Sequence, residues 1–254
     1  MCTLALYFRV FEHYPLIVAA NRDEHYDRPS APPGLQNNHP KIIAGRDLRA
    51  NGTWLGVNDY GLIGGILNRR VDGQHLTSTD IRSRGLLCMD VLNCESARAS
   101  SAFIREHKFR YNPFTLLFAD SHEAYVSYNN EERIITQKIE KGLHVFSSAA
   151  QFEMHSAKAD RAYALFAKLS NRVRPTNDIT LESIAALQTV LADHSLSADS
   201  DDPGDAICVH RESSGTVSSS IIYFSESESR FHTFFCPGPP CRNSFGDALT
   251  LDVR

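Results

Sequence analysis

The order in which two hydrophobic periodicities follow one another limits this chain's fold more than any other property it has. Short β-prone runs occupy residues 3–10, 16–20, 53–57 and 62–68, and helical spacing then covers 80–92 and 96–107. Strand-like runs return at 113–118, 124–128, 133–139 and 143–147, helical spacing at 155–169 and 181–192, and strands again at 206–210, 216–224 and 230–235. In the first helical stretch Leu86, Leu87, Met89, Val91 and Leu92 supply a buried face behind Thr79 or Asp80 as the cap. In the third, Ala157, Ala162, Leu165, Phe166 and Leu169 do the same. A doubly wound parallel sheet alternates single strands with single helices, so runs of strands separated by helix pairs argue against it. The residue pattern therefore gives an α+β protein with antiparallel sheets and does not by itself fix the number of layers. At 254 residues the chain is expected to be a single domain spanning 1–254.

Between these runs, residues 27–34 carry Pro29, Pro32 and Pro33 and read as a long loop, since proline removes a backbone donor and fixes φ. Gly45-Arg46-Asp47 and Asn51-Gly52 continue that turn chemistry. Gly61, Gly64 and Gly65 match the spacing of neither a dinucleotide fingerprint nor a P-loop. The acidic stretch 199–205 resembles a calcium loop only superficially, because Pro203 stands where an oxygen-bearing side chain is needed.

A formal charge of -4 gives no basic field for nucleic acid, and no apolar run reaches the roughly 20 residues that span a bilayer. Arg9 and Glu12 interrupt the first apolar segment, which argues against a signal peptide and makes the cytoplasm the expected compartment. Six cysteines are too few to build a disulfide scaffold of this length. Cys236 and Cys241 form the one close pair, with His232 upstream, but a fourth ligand is not obvious, and no metal site is expected.

The chemistry-bearing stretch is the beginning. Cys2 follows Met1, and aminopeptidase removal of the methionine would leave a residue with both a thiol and a free α-amino group. Their ordinary pKa values, about 8.5 and about 7.7–8.0, let the amine take the thiol proton near neutral pH. A second-position cysteine is more often inert. What singles this one out is spacing: runs 3–10 and 16–20 read as a hairpin, and antiparallel pairing brings Cys2 beside Asn21-Arg22-Asp23.

Several ordered motifs resemble the NRDE family, also called the transport and Golgi organisation protein 2 family. They are Met1-Cys2, Ala19-Ala20-Asn21-Arg22-Asp23-Glu24, Arg28-Pro29, Gly45-Arg46-Asp47, Gly52-Thr53-Trp54-Leu55-Gly56-Val57, Leu67-Asn68, Ser83-Arg84-Gly85 and Tyr111-Asn112-Pro113-Phe114. The family is similar to N-terminal nucleophile hydrolases such as bile-salt hydrolase and penicillin V acylase. That resemblance implies a four-layer αββα fold with two mainly antiparallel sheets and a nucleophilic Cys2. It also implies that Arg22 stabilises a thiolate or substrate anion, that Asp23 orients the N-terminal amine, and that Asn68 is an oxyanion donor. Two departures stand out: Ser148 occupies the place of an asparagine in a Ser-Asn-Ala segment, and Val217 that of an arginine in Gly-Thr-Arg-Ser-Ser. A hydroxyl still donates one hydrogen bond, whereas valine supplies neither charge nor donor.

Two functions follow from the resemblance and remain open. One is a cysteine hydrolase or acyltransferase acting on a small amide or acyl thioester, which requires no cofactor. The other is a non-catalytic protein of the same fold that binds or carries haem, acyl-CoA or lipid; the chain contains no haem-attachment motif. No repeat or coiled coil suggests a purely structural role.

Overall fold

The first hairpin forms where the spacing indicates and runs further than the apolar residues alone require. In the structure, a computed structural model describing residues 2–69, 81–107, 109–129, 133–148, 156–173, 181–196 and 200–254, strand β1 covers Thr3–Phe11 and β2 Tyr14–His25. The chain continues through β3 (Ser30–Asn38), β4 (Lys41–Asp47), β5 (Leu55–Asn58) and β6 (Ile63–Asn68) to helices α1 (Arg84–Leu92) and α2 (Ala97–Glu106). After β7 (Phe114–Ala119), β8 (Ala124–Asn129), β9 (Ile134–Ile139) and β10 (Gly142–Ser147) come α3 (Ala157–Val173) and α4 (Leu181–Leu191). A 3-10 turn at Pro203–Asp205 precedes β11 (Ser214–Ser225), β12 (Arg230–Cys236) and β13 (Leu249–Asp252). Thr79 and Asp80 lie outside the described residues; α1 starts after Ser83, and Ser96 caps α2 by accepting from the Ala99 N–H.

There are two antiparallel sheets, as expected for α+β, of order β10-β1-β2-β11-β12-β13 and β3-β4-β5-β6-β7-β8-β9. The chain divides into two compact units, each assembled from separated segments. The first comprises Met1–Asp27, Lys141–Ala150 and Met154–Thr250; the second comprises Arg28–Glu140, Gln151–Glu153 and Leu251–Arg254.

In the first unit, Ala5, Tyr7, Ile17, Ala19 and Ile221 form the sheet side of a core. All have odd numbers, which strand alternation puts on one face. Against them pack Ala162 and Phe166 of α3 and Ile184, Leu187 and Leu191 of α4. Burying each larger apolar side chain contributes about 1.5–3 kcal/mol, and the Tyr7 hydroxyl keeps its polar end satisfied by donating to the Phe166 carbonyl at 2.7 Å. In the second unit, Ile42, Leu62, Ile66, Leu116 and Phe118 meet Leu87, Val91, Leu92 and Ile104 of α1 and α2.

Three local expectations change. The proline-rich stretch is the edge strand β3 rather than a loop, with Pro32 and Pro33 inside a register irregularity between Ala31 and Gly34, where missing N–H groups do not break a ladder. The strand-like runs from 113 to 147, which their succession would gather into a sheet of their own, divide instead: β7 to β9 extend the second sheet, and β10 covers the open edge of β1, pairing Ser147 with Thr3. Residues 206–210 form no strand; the Cys208 N–H bonds to the Asp193 carbonyl, and His210 makes an isolated bridge with Gly215.

Candidate functional site

Strand β2 lies between β1 and β11, so its polar end, Asn21-Arg22-Asp23, is held on both edges. Thr3 pairs with Asn21, which sets Cys2 level with Arg22, and alternation puts the side chains of Cys2 and Arg22 on one face and those of Asn21 and Asp23 on the other. The Cys2 thiol nevertheless meets Asp23 through the backbone: the Asp23 N–H donates to Cys2 Sγ at 3.4 Å, and Sγ lies 3.7 Å from the Asp23 carbonyl oxygen. The Cys2 backbone nitrogen donates to Ser148 Oγ at 2.9 Å, while the Ser148 N–H bonds to the Cys2 carbonyl at 3.1 Å. Ser148, the departure from the family's asparagine, thus sits on the nitrogen that methionine removal would turn into the α-amine.

Burial pushes the Cys2 thiol above its ordinary pKa; the Asp23 carboxylate adds to that, while the Asp23 N–H and the Arg22 guanidinium pull it down. The chain's positive terminus also opposes the rise, and forming a thiolate against that burial calls for a nearby base. Arg22 is itself buried, with Nη2 4.0 Å from Glu24. Ser218, paired with Arg22 across the ladder, has a buried hydroxyl without a hydrogen-bond partner among the described residues. Val217 falls at the register shift between Thr216 and Ser218 and is half-buried.

On the opposite face the polar side chains are fully engaged. Asn21 donates to the Leu191 carbonyl at 2.8 Å and the Ile207 carbonyl at 2.9 Å, and accepts from Ser219 Oγ at 2.5 Å. Asp23 accepts from Thr216 Oγ1 at 2.6 Å and from Lys158 Nζ at 3.1 Å. The Lys158 side chain is 0% exposed and its Nζ also reaches the Gly204 carbonyl at 3.4 Å. Two charges in such a site each carry several kcal/mol of desolvation, recovered only by close pairing and added hydrogen bonds.

Sequence reasoning missed Lys158, which stands 135 residues from Asp23 although it precedes Ala162, Leu165, Phe166 and Leu169 by 4, 7, 8 and 11 residues and so shares the apolar face of α3. The structure brings Cys2, Arg22 and Asp23 together. Asn68 belongs to the second unit, at the last position of β6, paired with Phe114 and exposed. His232 and Cys236 do not join Cys241: His232 stacks on Tyr223, and Cys236 Sγ bonds to the Gly238 and Asn243 carbonyls. Cys241 lies instead with Cys208, His210 and His194.

Other motif residues prove to be scaffold. A Cβ on Gly45 would come within 2.5 Å of the Trp54 ring, and one on Gly52 within 2.3 Å of the Gly85 backbone. Arg28 Nε donates to Asp47 at 2.7 Å, and that carboxylate also accepts the Arg49 and Ala50 N–H groups.

Among solved structures, penicillin V acylase from Agrobacterium tumefaciens matches 99% of this chain and 86% of its own at TM-score 0.60 and 13% identity. The N-acylethanolamine-hydrolyzing acid amidase ortholog of Caenorhabditis elegans matches 87% of this chain and 92% of its own at TM-score 0.56 and 14% identity. The fold is thus that of the N-terminal nucleophile hydrolases. The chain belongs to the Transport and Golgi organisation 2 family, whose model matches residues 1–234. The mouse (Mus musculus) Transport and Golgi organization 2 homolog is 35% identical and the human (Homo sapiens) homolog 33% identical over 113 residues. That stretch is 42% of this chain and only 39% of the length of either relative. Among the described residues, no helix is long and apolar enough to cross a membrane.

Proposed function

We propose that the chain is a cysteine N-terminal nucleophile hydrolase, or an acyltransferase using the same acyl-enzyme, for a small amide or acyl thioester. The observation that carries this is the pairing of a thiol and its own backbone nitrogen in one polar setting, Sγ on the Asp23 N–H at 3.4 Å and N on Ser148 Oγ at 2.9 Å. With Met1 removed, the free amine takes the thiol proton and the thiolate attacks the substrate carbonyl carbon. The ammonium returns that proton to the departing amine or thiol as the tetrahedral intermediate collapses, leaving an acyl thioester on Cys2. Water, deprotonated by the same amine, releases the acid and restores the thiol; another acceptor in its place gives transfer. Arg22, on the same face as Cys2, stabilises negative charge, and Asp23 fixes the strand that carries the N–H donor. The assignment of Asn68 to the oxyanion rests on the family resemblance alone.

The competing proposal is a non-catalytic carrier of haem, acyl-CoA or lipid, favoured by the burial that keeps the Cys2 thiol protonated and by Val217, which supplies no cation. Incubation with amide and thioester acyl donors decides between them. An acyl mass added to Cys2 and lost on hydrolysis supports the enzyme; saturable haem or acyl-CoA binding that is unchanged in Cys2→Ala, with no adduct on the unsubstituted chain, supports the carrier.

A further inference from the structure

Cys208, His210 and Cys241 meet in the first unit, and His194 lies beside His210 and Cys241, the four coming from three separate stretches of the chain. The Cys208 N–H bonds to the Asp193 carbonyl at 2.8 Å, which ties residues 206–210 to the segment following α4 and brings His194 alongside. Cys241 comes from the turn after β12, where the Arg242 and Asn243 N–H groups both bond to the Pro239 carbonyl. Cys208 Sγ lies 3.7 Å from Cys241 Sγ and 3.7 Å from His210 Nε2, and His210 Nε2 lies 3.1 Å from Cys241 Sγ. Ring nitrogens of His194 and His210 and Sγ of Cys241 all fall within 4.8 Å of one another.

These lengths can be compared with those a metal would impose. A tetrahedral zinc ion holds sulfur at about 2.3 Å and nitrogen at about 2.0–2.1 Å, which separates two sulfurs by about 3.8 Å and a sulfur from a nitrogen by about 3.5 Å. The sulfur pair matches, and the two sulfur–nitrogen lengths, 3.7 and 3.1 Å, fall on either side of the expected value. A disulfide, by contrast, needs its sulfurs at about 2.05 Å, and both cysteines are free thiols. We propose that Cys208, His210, Cys241 and His194 form a closed tetrahedral site for zinc or a similar borderline-soft divalent cation.

Two thiolates neutralise the ion's charge and two neutral imidazoles complete its coordination, leaving no position for a water molecule, so the site is structural. Its effect reaches β2, the strand whose Asp23 N–H meets Cys2 Sγ. Cys208 and His210 flank Val209, whose N–H donates to Thr216 Oγ1 and whose carbonyl accepts from the Thr216 N–H, both at 2.9 Å; Thr216 Oγ1 in turn donates to Asp23. The ion would hold this clamp in register whether or not Cys2 is catalytic.

The test uses the full chain, reduced and stripped of metal, titrated with Co(II) and then Zn(II). The expected result is about one ion per chain, with thiolate-to-cobalt charge-transfer absorption and tetrahedral d–d bands that zinc abolishes. Cys241→Ser should remove most of the charge-transfer intensity. His194→Ala, at an exposed position that leaves folding intact, should weaken retention at least about tenfold, since even outer-shell partners of a metal are worth about 10–100-fold. Failure of the reduced protein to retain a stoichiometric ion would overturn the proposal, as would retention and spectra unchanged in both variants.

Discussion

Each unit buries an asparagine for the same purpose, and the two differ in what the chain does next. Asn58 donates to the Leu92 and Cys94 carbonyls, both at 2.8 Å, and accepts from the Tyr60 and Leu62 N–H groups, both at 3.0 Å. Asn21 likewise closes the last residue of a helix, Leu191, and a second carbonyl. An orphan helix carbonyl in a core needs such a donor, and a strand asparagine supplies two. After Asn58 the second unit turns at once, through Asp59-Tyr60-Gly61, with Gly61 at φ +86° where other residues are strained. After Asn21 the strand continues, and Arg22 and Asp23 enter the interior with Lys158 as counter-ion. The second unit follows its asparagine with a turn whose Asp59 meets the half-exposed Arg254; the first places a fully buried ion pair beyond its own.

The sharpest way to break this comparison is at the thiol. Cys2→Ala should abolish acyl-adduct formation and turnover while urea denaturation shifts by less than about 1 kcal/mol, as expected for one small side chain. Next comes the buried pair. Lys158→Ala removes the buried ammonium that pairs with Asp23 and should cost about 3–5 kcal/mol in denaturation. Arg98→Ala, which removes an exposed cation from the buried Glu123 of the second unit, should cost far less. Equal losses would mean that the first unit's charges are not differently placed.

The asparagines should behave alike. Asn21→Leu and Asn58→Leu each strand buried carbonyls and should each destabilise by about 2–3 kcal/mol, so a neutral result at either would end the parallel. The smallest effect is acidic. Hydrogen bonds from Arg98 and Lys138 lower Glu123 from 4.5 to about 2. A depressed carboxyl contributes stability above its unfolded pKa that is lost as pH falls toward its folded value. Glu123→Gln should therefore flatten the stability curve between about pH 4.5 and 2, by under about 1 kcal/mol because the partner cations are exposed.

How much of this the sequence disclosed depends on distance along the chain. The hairpin that sets Cys2 level with Arg22 was legible, because a short turn and period-two alternation fix register locally. The α+β class and the helix pairs followed from periodicity as well. Membership of β10 in the first sheet was not, since adjacency along the chain favoured β9 and only the open edge of β1 explains the choice. The place of Lys158 on the apolar face of α3 was legible, but its partner was not, because Asp23 stands on a distant strand. The Cys208, His210, Cys241 and His194 cluster was hidden because its spacing matches no short ligand motif; the nearer pair, Cys236 and Cys241, is pulled apart by backbone hydrogen bonds to Cys236. Of the motifs that carried the family resemblance, those around Gly45, Gly52 and Gly85 hold the second unit together, and Arg22-Asp23 lies at Cys2.

Intact-protein mass spectrometry, before and after exposure to an acyl donor, tests the central claim most directly. The account predicts a chain beginning at Cys2 that gains one acyl group on that residue and loses it as product forms. A functional protein that retains Met1, or an adduct that persists in Cys2→Ala, would contradict it.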